Sequence, residues 1–284
     1  MNTGAGAIPQ VTLADGTLVP ALDLGTWTMG EQPGRAAREA AALAHGMDLG
    51  MTLIDTAEMY GDGGAEEIVA KAIAGRRGSA FVVSKVYPHN AGATRMKAAC
   101  ERSLRRLGLD CIDLYLLHWR GAVPLAETVD AFERLRAAGR IRRWGVSNFD
   151  TADMEELLAL PGGRNCAVNQ VLYNLTERGI EWRLLDWCRT RGIPVMAYSP
   201  VAQGSLATNR KVAAIARTLN VTSAQLALAW VLTRPQVIAI PQSSNLAHID
   251  ANRAAVAIRV DNDVSAALDA AFPPPTKATR LSMI

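Results

Sequence analysis

The sequence predicts an α/β fold, a parallel (β/α)8 or TIM barrel with an N-terminal β-hairpin cap. Three observations predict it. Eight short apolar runs of strand type alternate with amphipathic stretches of helix type. Polar and aromatic residues crowd the carboxyl ends of those runs, while the run interiors stay aliphatic. No Ser/Gly/Pro-rich stretch divides the chain, so residues 1–284 read as a single domain.

The elements follow in order. Residues 11–19 alternate around Asp15 and Gly16, a hairpin signal placed before the main pattern and so a cap or plug. Gly4, Ala5 and Gly6 make no dinucleotide fingerprint, because no strand precedes them and no helix follows. Strands are expected at 22–26, 52–56, 80–85, 111–117, 142–147, 167–172, 194–199 and 237–241. Helices are expected between them at 35–49, 64–74, 94–107, 125–138, 151–159, 181–191, 210–219, 222–233 and 246–256. Gly50, Gly108, Gly139 and Gly192 fall near helix stops, where a left-handed cap is favoured. Residues 273–284, opening on Pro273, Pro274 and Pro275, read as an extended C-terminal tail.

Composition narrows the function classes. At 284 residues and 49% hydrophobic, the chain buries a large core. Lys+Arg 30 against Asp+Glu 27 gives a net charge of +3 and no basic block, which argues against nucleic acid as a partner. Cys100, Cys111, Cys166 and Cys188 lack zinc-ligand spacing, so no metal is expected and the thiols read as free in a reducing compartment. No secretory signal and no apolar run of about 18 residues is visible, so a cytoplasmic location with no membrane partner is expected. Nothing calls for more than a monomer.

In such barrels the site lies at the carboxyl ends of the strands. There Asp55 ends one apolar run, and Tyr60 follows just before a glycine-rich turn. Lys85 ends the next run and His118 the one after. If those strands are parallel neighbours, the four titratable side chains converge at one mouth. A phenol has an ordinary pKa of about 10. A neighbouring ammonium is expected to lower it, and an aspartate to hold that ammonium charged. A histidine beside the phenol can orient a carbonyl oxygen or share the proton. Singly, each residue has a structural role open to it as cap, packing group or core histidine. Four at corresponding strand ends favour chemistry, namely proton donation during carbonyl reduction.

Other rim residues extend the pattern. Trp27 and Trp119 can wall an apolar pocket that also exposes Tyr60 and His118. Ser147, Asn148 and Gln170 can hydrogen-bond a carboxamide, and Tyr198 offers a flat face for a ring. Two other classes stay open. A lysine at a barrel strand end also suits a Schiff-base aldolase, and borohydride trapping on Lys85 would reveal it. The third class is a cofactor-holding regulatory module without turnover.

At these residues the chain resembles the aldo-keto reductases, nearly end to end. The matching motifs are Asp55 to Gly61, Val83 to Val86, Asp113 to Trp119, Gly145 to Phe149, Asn169 to Val171, Ala197 to Pro200, and Ile240 with Pro241. It is most similar to bacterial members that reduce small aldehydes and dicarbonyls such as methylglyoxal. The resemblance implies that Tyr60 is the general acid, tuned and oriented by Lys85, Asp55 and His118. It implies that Ser147, Asn148 and Gln170 hold the nicotinamide carboxamide of NADPH and that Tyr198 stacks on its ring. Gly25, Thr26 and Trp27 would join that cofactor contact, as would Ser199, Pro200, Val201, Gln203 and Ser205 along the pyrophosphate. Ile240, Gln242, Ser243, His248 and Asn252 would meet the adenosine end.

Two departures from the family pattern follow. Gln242 and His248 stand where members favouring NADPH usually carry cations that clamp the 2′-phosphate. NADPH is expected, NADH or dual use stays open, and Arg253 is a candidate substitute cation. The connection after Trp119 and the tail after Phe272 are short, which suggests an open site of broad tolerance. The segment 201–209 is also short, so a lightly clasped cofactor is expected.

Overall fold

The computed structural model describes residues 6–284; Gly4 and Ala5 of the early glycine pair lie outside the described residues. The chain opens with an antiparallel hairpin, β1 (Gln10–Thr12) and β2 (Leu18–Pro20), with Val11 opposite Val19. Then come β3 (Leu24–Gly25), α1 (Ala36–Asp48), β4 (Leu53–Asp55), α2 (Gly64–Ala72), β5 (Phe81–Val86) and α3 (Ala93–Leu107). β6 (Ile112–Leu117), α4 (Leu125–Ala137), β7 (Ile141–Ser147), α5 (Thr151–Ala159), β8 (Cys166–Leu172) and α6 (Leu184–Arg189) continue the alternation. β9 (Val195–Tyr198), α7 (Arg210–Thr218), α8 (Ser223–Leu232), β10 (Val237–Ile240), α9 (Leu246–Ala254) and α10 (Asn262–Ala271) complete it.

β3 to β10 pair in parallel in sequence order, forming an eight-stranded sheet. Closure comes from parallel bridges of Leu22 with Ala239 and of Gly25 with Gln242, so the first strand meets the last. Gly25 is required at that seam. A Cβ there would stand 2.8 Å from the Ile240 carbonyl oxygen. The expected barrel is therefore observed.

Two apolar layers follow from the strand pattern. Inside the barrel, Leu53, Val83, Leu114, Leu116, Val168 and Ile238 pack with Val11, Leu13 and Val19 of the hairpin, which plugs the amino-terminal end. Outside, strand residues such as Ile54, Val82 and Tyr115 pack against the helices, including Leu43 and Phe132. Caps set several helix starts. Asp150 and Thr222 form capping boxes with Asp153 and Gln225.

Two features differ from the sequence expectation. α10 lies beyond the last helix that the alternation requires; its signals are the Asp261 N-cap and the buried pair Val264 and Leu268 one turn apart. The expected helix 181–191 divides into a 3₁₀ turn, Gly179–Trp182, and the shorter α6, because Arg183 leaves helical geometry. Residues 273–284 form no helix or strand, in keeping with an extended tail, and Leu281 packs on the outer core. The four cysteines are free thiols, and burial pushes those of Cys100, Cys166 and Cys188 up to about 12. Among the described residues, no helix is long and apolar enough to cross a membrane.

Candidate active site

Parallel pairing of β4, β5 and β6 brings their carboxyl ends to one face, with Asp55 registered on Val83 and Lys85 on Leu116. Asp55 and Lys85 therefore point from neighbouring strands into the same mouth. Tyr60 reaches it from the turn after β4. That turn is held by close backbone approach: Gly30, at φ 76°, leaves no room for a Cβ, which would fall 2.2 Å from the Gly64 carbonyl carbon.

Lys85 is fully buried and donates three hydrogen bonds. Its Nζ lies 2.7 Å from Asp55 Oδ2, 3.0 Å from the Thr56 carbonyl oxygen and 3.0 Å from the Tyr60 phenol oxygen. Burial alone would favour the neutral amine, but the Asp55 carboxylate and the phenol outweigh it and hold the Lys85 pKa above its ordinary value. The other Asp55 oxygen, Oδ1, accepts from Gln170 Nε2 at 2.7 Å. The buried ion pair thus has partners on both sides.

One expectation is corrected here. The Tyr60 phenol is held above its ordinary pKa rather than below it. Burial is the largest cause, and the Asp55 charge adds to it; the nearby Lys85 ammonium opposes both without prevailing. Tyr60 is consequently a neutral phenol across the physiological range.

His118 meets Tyr60 edge-on, with ring centroids 5.7 Å apart. Burial, then the Lys85 charge, pushes its pKa down to about 2. A neutral imidazole can orient a carbonyl oxygen by hydrogen bonding but does not supply a proton at neutral pH. Its Nδ1 is buried and without a partner.

A polar arc continues from the tetrad around the rim. Ser147 Oγ donates to the Gln170 carbonyl oxygen at 2.9 Å. Asn148 Nδ2 donates to the His118 carbonyl oxygen at 3.1 Å, and Tyr198 Oη donates to Asn148 Oδ1 at 2.9 Å. Burial pushes the Tyr198 phenol up to about 12, against the pull of the Ile284 backbone amide beside it.

The remaining sequence candidates occupy the outer rim. Thr26 is buried and donates to the Asp55 carbonyl oxygen at 2.9 Å, whereas Trp27 is exposed. Ile240 and Pro200 are buried, Val201 is half-buried, and Gln203 and Ser205 are exposed. The Ser199 carbonyl oxygen accepts from Asn174 at 3.0 Å. Gln242 and His248 are exposed, Asn252 is half-buried, and Ser243 hydrogen-bonds Asn245. Arg253 is turned away from this rim: its Nε donates to the Leu49 carbonyl oxygen at the carboxyl end of α1, and its Nη2 to that of Gly6.

Six of the non-glycine residues at positive φ lie on the rim loops: Thr28, Asp62, Asn148, Ser199, Ala202 and Gln203. Strain of this kind persists where surrounding structure enforces a functional geometry. Two residues were not singled out from the sequence. Glu58 is buried and accepts from the Tyr87 backbone N–H at 2.9 Å and from Asn90 Nδ2 at 3.0 Å. Tyr87 stands edge-on to Trp119 and stacks on His89. An aromatic two residues beyond Lys85 was the available signal for the second; the contact of Glu58 is visible only in three dimensions.

Residues 21–272 match the model of the aldo/keto reductase family. The chain is 52% identical over 271 residues to methylglyoxal reductase YeaE of Escherichia coli, covering 94% of this chain and 95% of that protein. It is 37% identical over 235 residues to a glyoxal reductase of Bacillus subtilis, covering 82% of each. A crystal structure of an aldo-keto reductase from Klebsiella pneumoniae in complex with NADPH superposes with a TM-score of 0.95 at 50% identity, covering 98% of this chain and 100% of that one. This chain belongs to the aldo/keto reductase family.

Proposed function

We propose that this reductase uses NADPH to convert small aldehydes and ketoaldehydes, methylglyoxal among them, to alcohols, with Tyr60 as proton donor. One observation carries the assignment of the donor. An ammonium has only protons to give, so the Lys85–Tyr60 hydrogen bond must run from Nζ to the phenol oxygen. The phenol proton is thereby left for an acceptor at the mouth.

The rim fits a nicotinamide cofactor. Ser147, Asn148 and Gln170 cluster within hydrogen-bonding distance of one another, and Tyr198 presents a ring beside them. Gln170 already gives an amide proton to Asp55, which leaves its oxygen as the group suited to a carboxamide. When bound, NADPH supplies the reducing equivalent. The chain does the rest. His118, neutral, fixes the carbonyl oxygen beside the Tyr60 hydroxyl. Tyr60 passes its proton to that oxygen, and Lys85, kept charged by Asp55, stabilises the charge left on the phenol.

The alternatives find little support. Schiff-base chemistry needs a neutral, accessible amine, whereas Lys85 is sealed among three acceptors with its pKa raised. A module without turnover has no use for a phenol whose proton is kept free. The deciding assay is steady-state reduction of methylglyoxal with NADPH and with NADH in one buffer. A higher kcat/KM with NADPH is expected; equal values would remove the cofactor preference, and no turnover with either would remove the substrate assignment.

A further inference from the structure

The missing cation clamp raises a question that the helices answer. In a β/α barrel each helix begins at the mouth and returns toward the closed end, so neighbouring helices run parallel. The contacts between α1 and α9 follow that order. Arg38 meets Ser244 just before α9, His45 pairs with Asp250 in its middle, and Arg253 near its end reaches Leu49. Arg253 therefore lies toward the closed end and Arg38 at the mouth. Arg253, a candidate substitute cation in the sequence, is therefore not placed to serve as the clamp.

Arg38 is exposed, and its Nε donates to the Ser244 carbonyl oxygen at 2.9 Å. Among the described residues it has no ion-pair partner, and neither Nη group donates to this chain. A guanidinium fixed through Nε with both Nη groups open is prepared for a bidentate oxyanion. It is fixed on the loop after the eighth barrel strand, where barrels commonly bind phosphate. Half-buried Ser243 precedes Ser244 directly, and exposed Gln242 brings no charge. Arg35, exposed at the N-cap of α1 three residues earlier, adds a second positive charge at that end. The nearest acid on α9, Asp250, is already paired with His45 at 2.7 Å.

We infer that Arg38, reaching across from the first barrel helix, is the specificity-determining cation for the 2′-phosphate of an adenosine dinucleotide. The inference rests on the NADPH reading above and adds to it the residue that separates NADPH from NADH. Gln242 and His248 then need not supply the charge.

Calorimetric titration of the full-length chain with 2′,5′-ADP and with 5′-AMP tests this without turnover. Wild-type protein should bind 2′,5′-ADP more tightly. Arg38→Ala should weaken that ligand by about 10- to 100-fold, the range for losing a hydrogen bond to a charged group, with 5′-AMP unaffected. Arg253→Ala should leave the discrimination intact while lowering the melting temperature. Retained discrimination in Arg38→Ala, or its loss in Arg253→Ala instead, would overturn the assignment. Wild-type protein that fails to bind NADPH itself would overturn the cofactor reading and this inference with it, a result distinct from binding without discrimination.

Discussion

Lys85 Nζ stands 3.0 Å from the Tyr60 phenol oxygen and 4.6 Å from the centroid of the same ring. The ammonium thus touches both the oxygen that would carry negative charge and the π-face that favours a cation. In the resting protein this contact does not ionise the phenol, because burial and the Asp55 charge outweigh it. In the proposed reaction its effect is reserved for the moment when Tyr60 gives up its proton. Acid strength is supplied on demand rather than stored as a depressed pKa.

Breaking the ion pair separates stability from chemistry. Lys85→Met leaves the Asp55 carboxylate buried with Gln170 as its remaining side-chain donor, and should cost about 3–5 kcal/mol of unfolding free energy. Adding Asp55→Leu should recover much of that stability while activity stays lost. Urea denaturation and carbonyl reduction on the two variants check this. Recovery of turnover in the double variant would contradict the role of Lys85.

His118 gives the protein an acid-labile component. Its folded pKa, about 2, lies far below the ordinary 6.5, so below pH 6.5 the unfolded chain binds a proton that the folded one refuses. The associated stability is present above pH 6.5 and is lost as pH falls toward 2. Between pH 8 and pH 5 the wild type should lose about 2 kcal/mol more than His118→Gln. Urea midpoints at the two pH values measure the difference; equal losses would place a charged histidine in the folded mouth.

Glu58 ties the Tyr60 turn to the loop that carries Tyr87. Its carboxylate accepts from the Tyr87 N–H and from Asn90, while its own N–H donates to the Lys85 carbonyl oxygen at 3.3 Å. Glu58→Ala should destabilise the fold by about 1–3 kcal/mol through the abandoned donors. It should raise KM for methylglyoxal more than it lowers kcat, because the wall at Tyr87 and Trp119 loosens while the Lys85–Tyr60 contact is kept. An unchanged KM would dissociate that wall from substrate binding.

Much of this was legible in the residues. Strand interiors such as Val82–Val83 and Leu114–Leu117 are apolar because they are covered on both faces, and that periodicity locates the barrel. Asp55, Lys85 and His118 stand out because charge or imidazole at the end of such a run demands a partner. What stayed hidden depends on three dimensions. The sign of the Tyr60 shift is a balance between burial and two opposite charges. The direction of Arg253 depends on which end of α1 it meets, and Arg38 lies 206 residues from its partner Ser244. α10 escaped because eight strands and their helices are already complete before it.

The central claim is that Tyr60 gives the proton. The most direct test measures methylglyoxal-dependent NADPH oxidation by Tyr60→Phe, alongside NADPH affinity of the same preparation. The account predicts a fall in kcat/KM of about 10²- to 10⁴-fold, the usual worth of a general acid, with NADPH affinity near wild type. Turnover close to wild type in a variant that binds NADPH normally would contradict it.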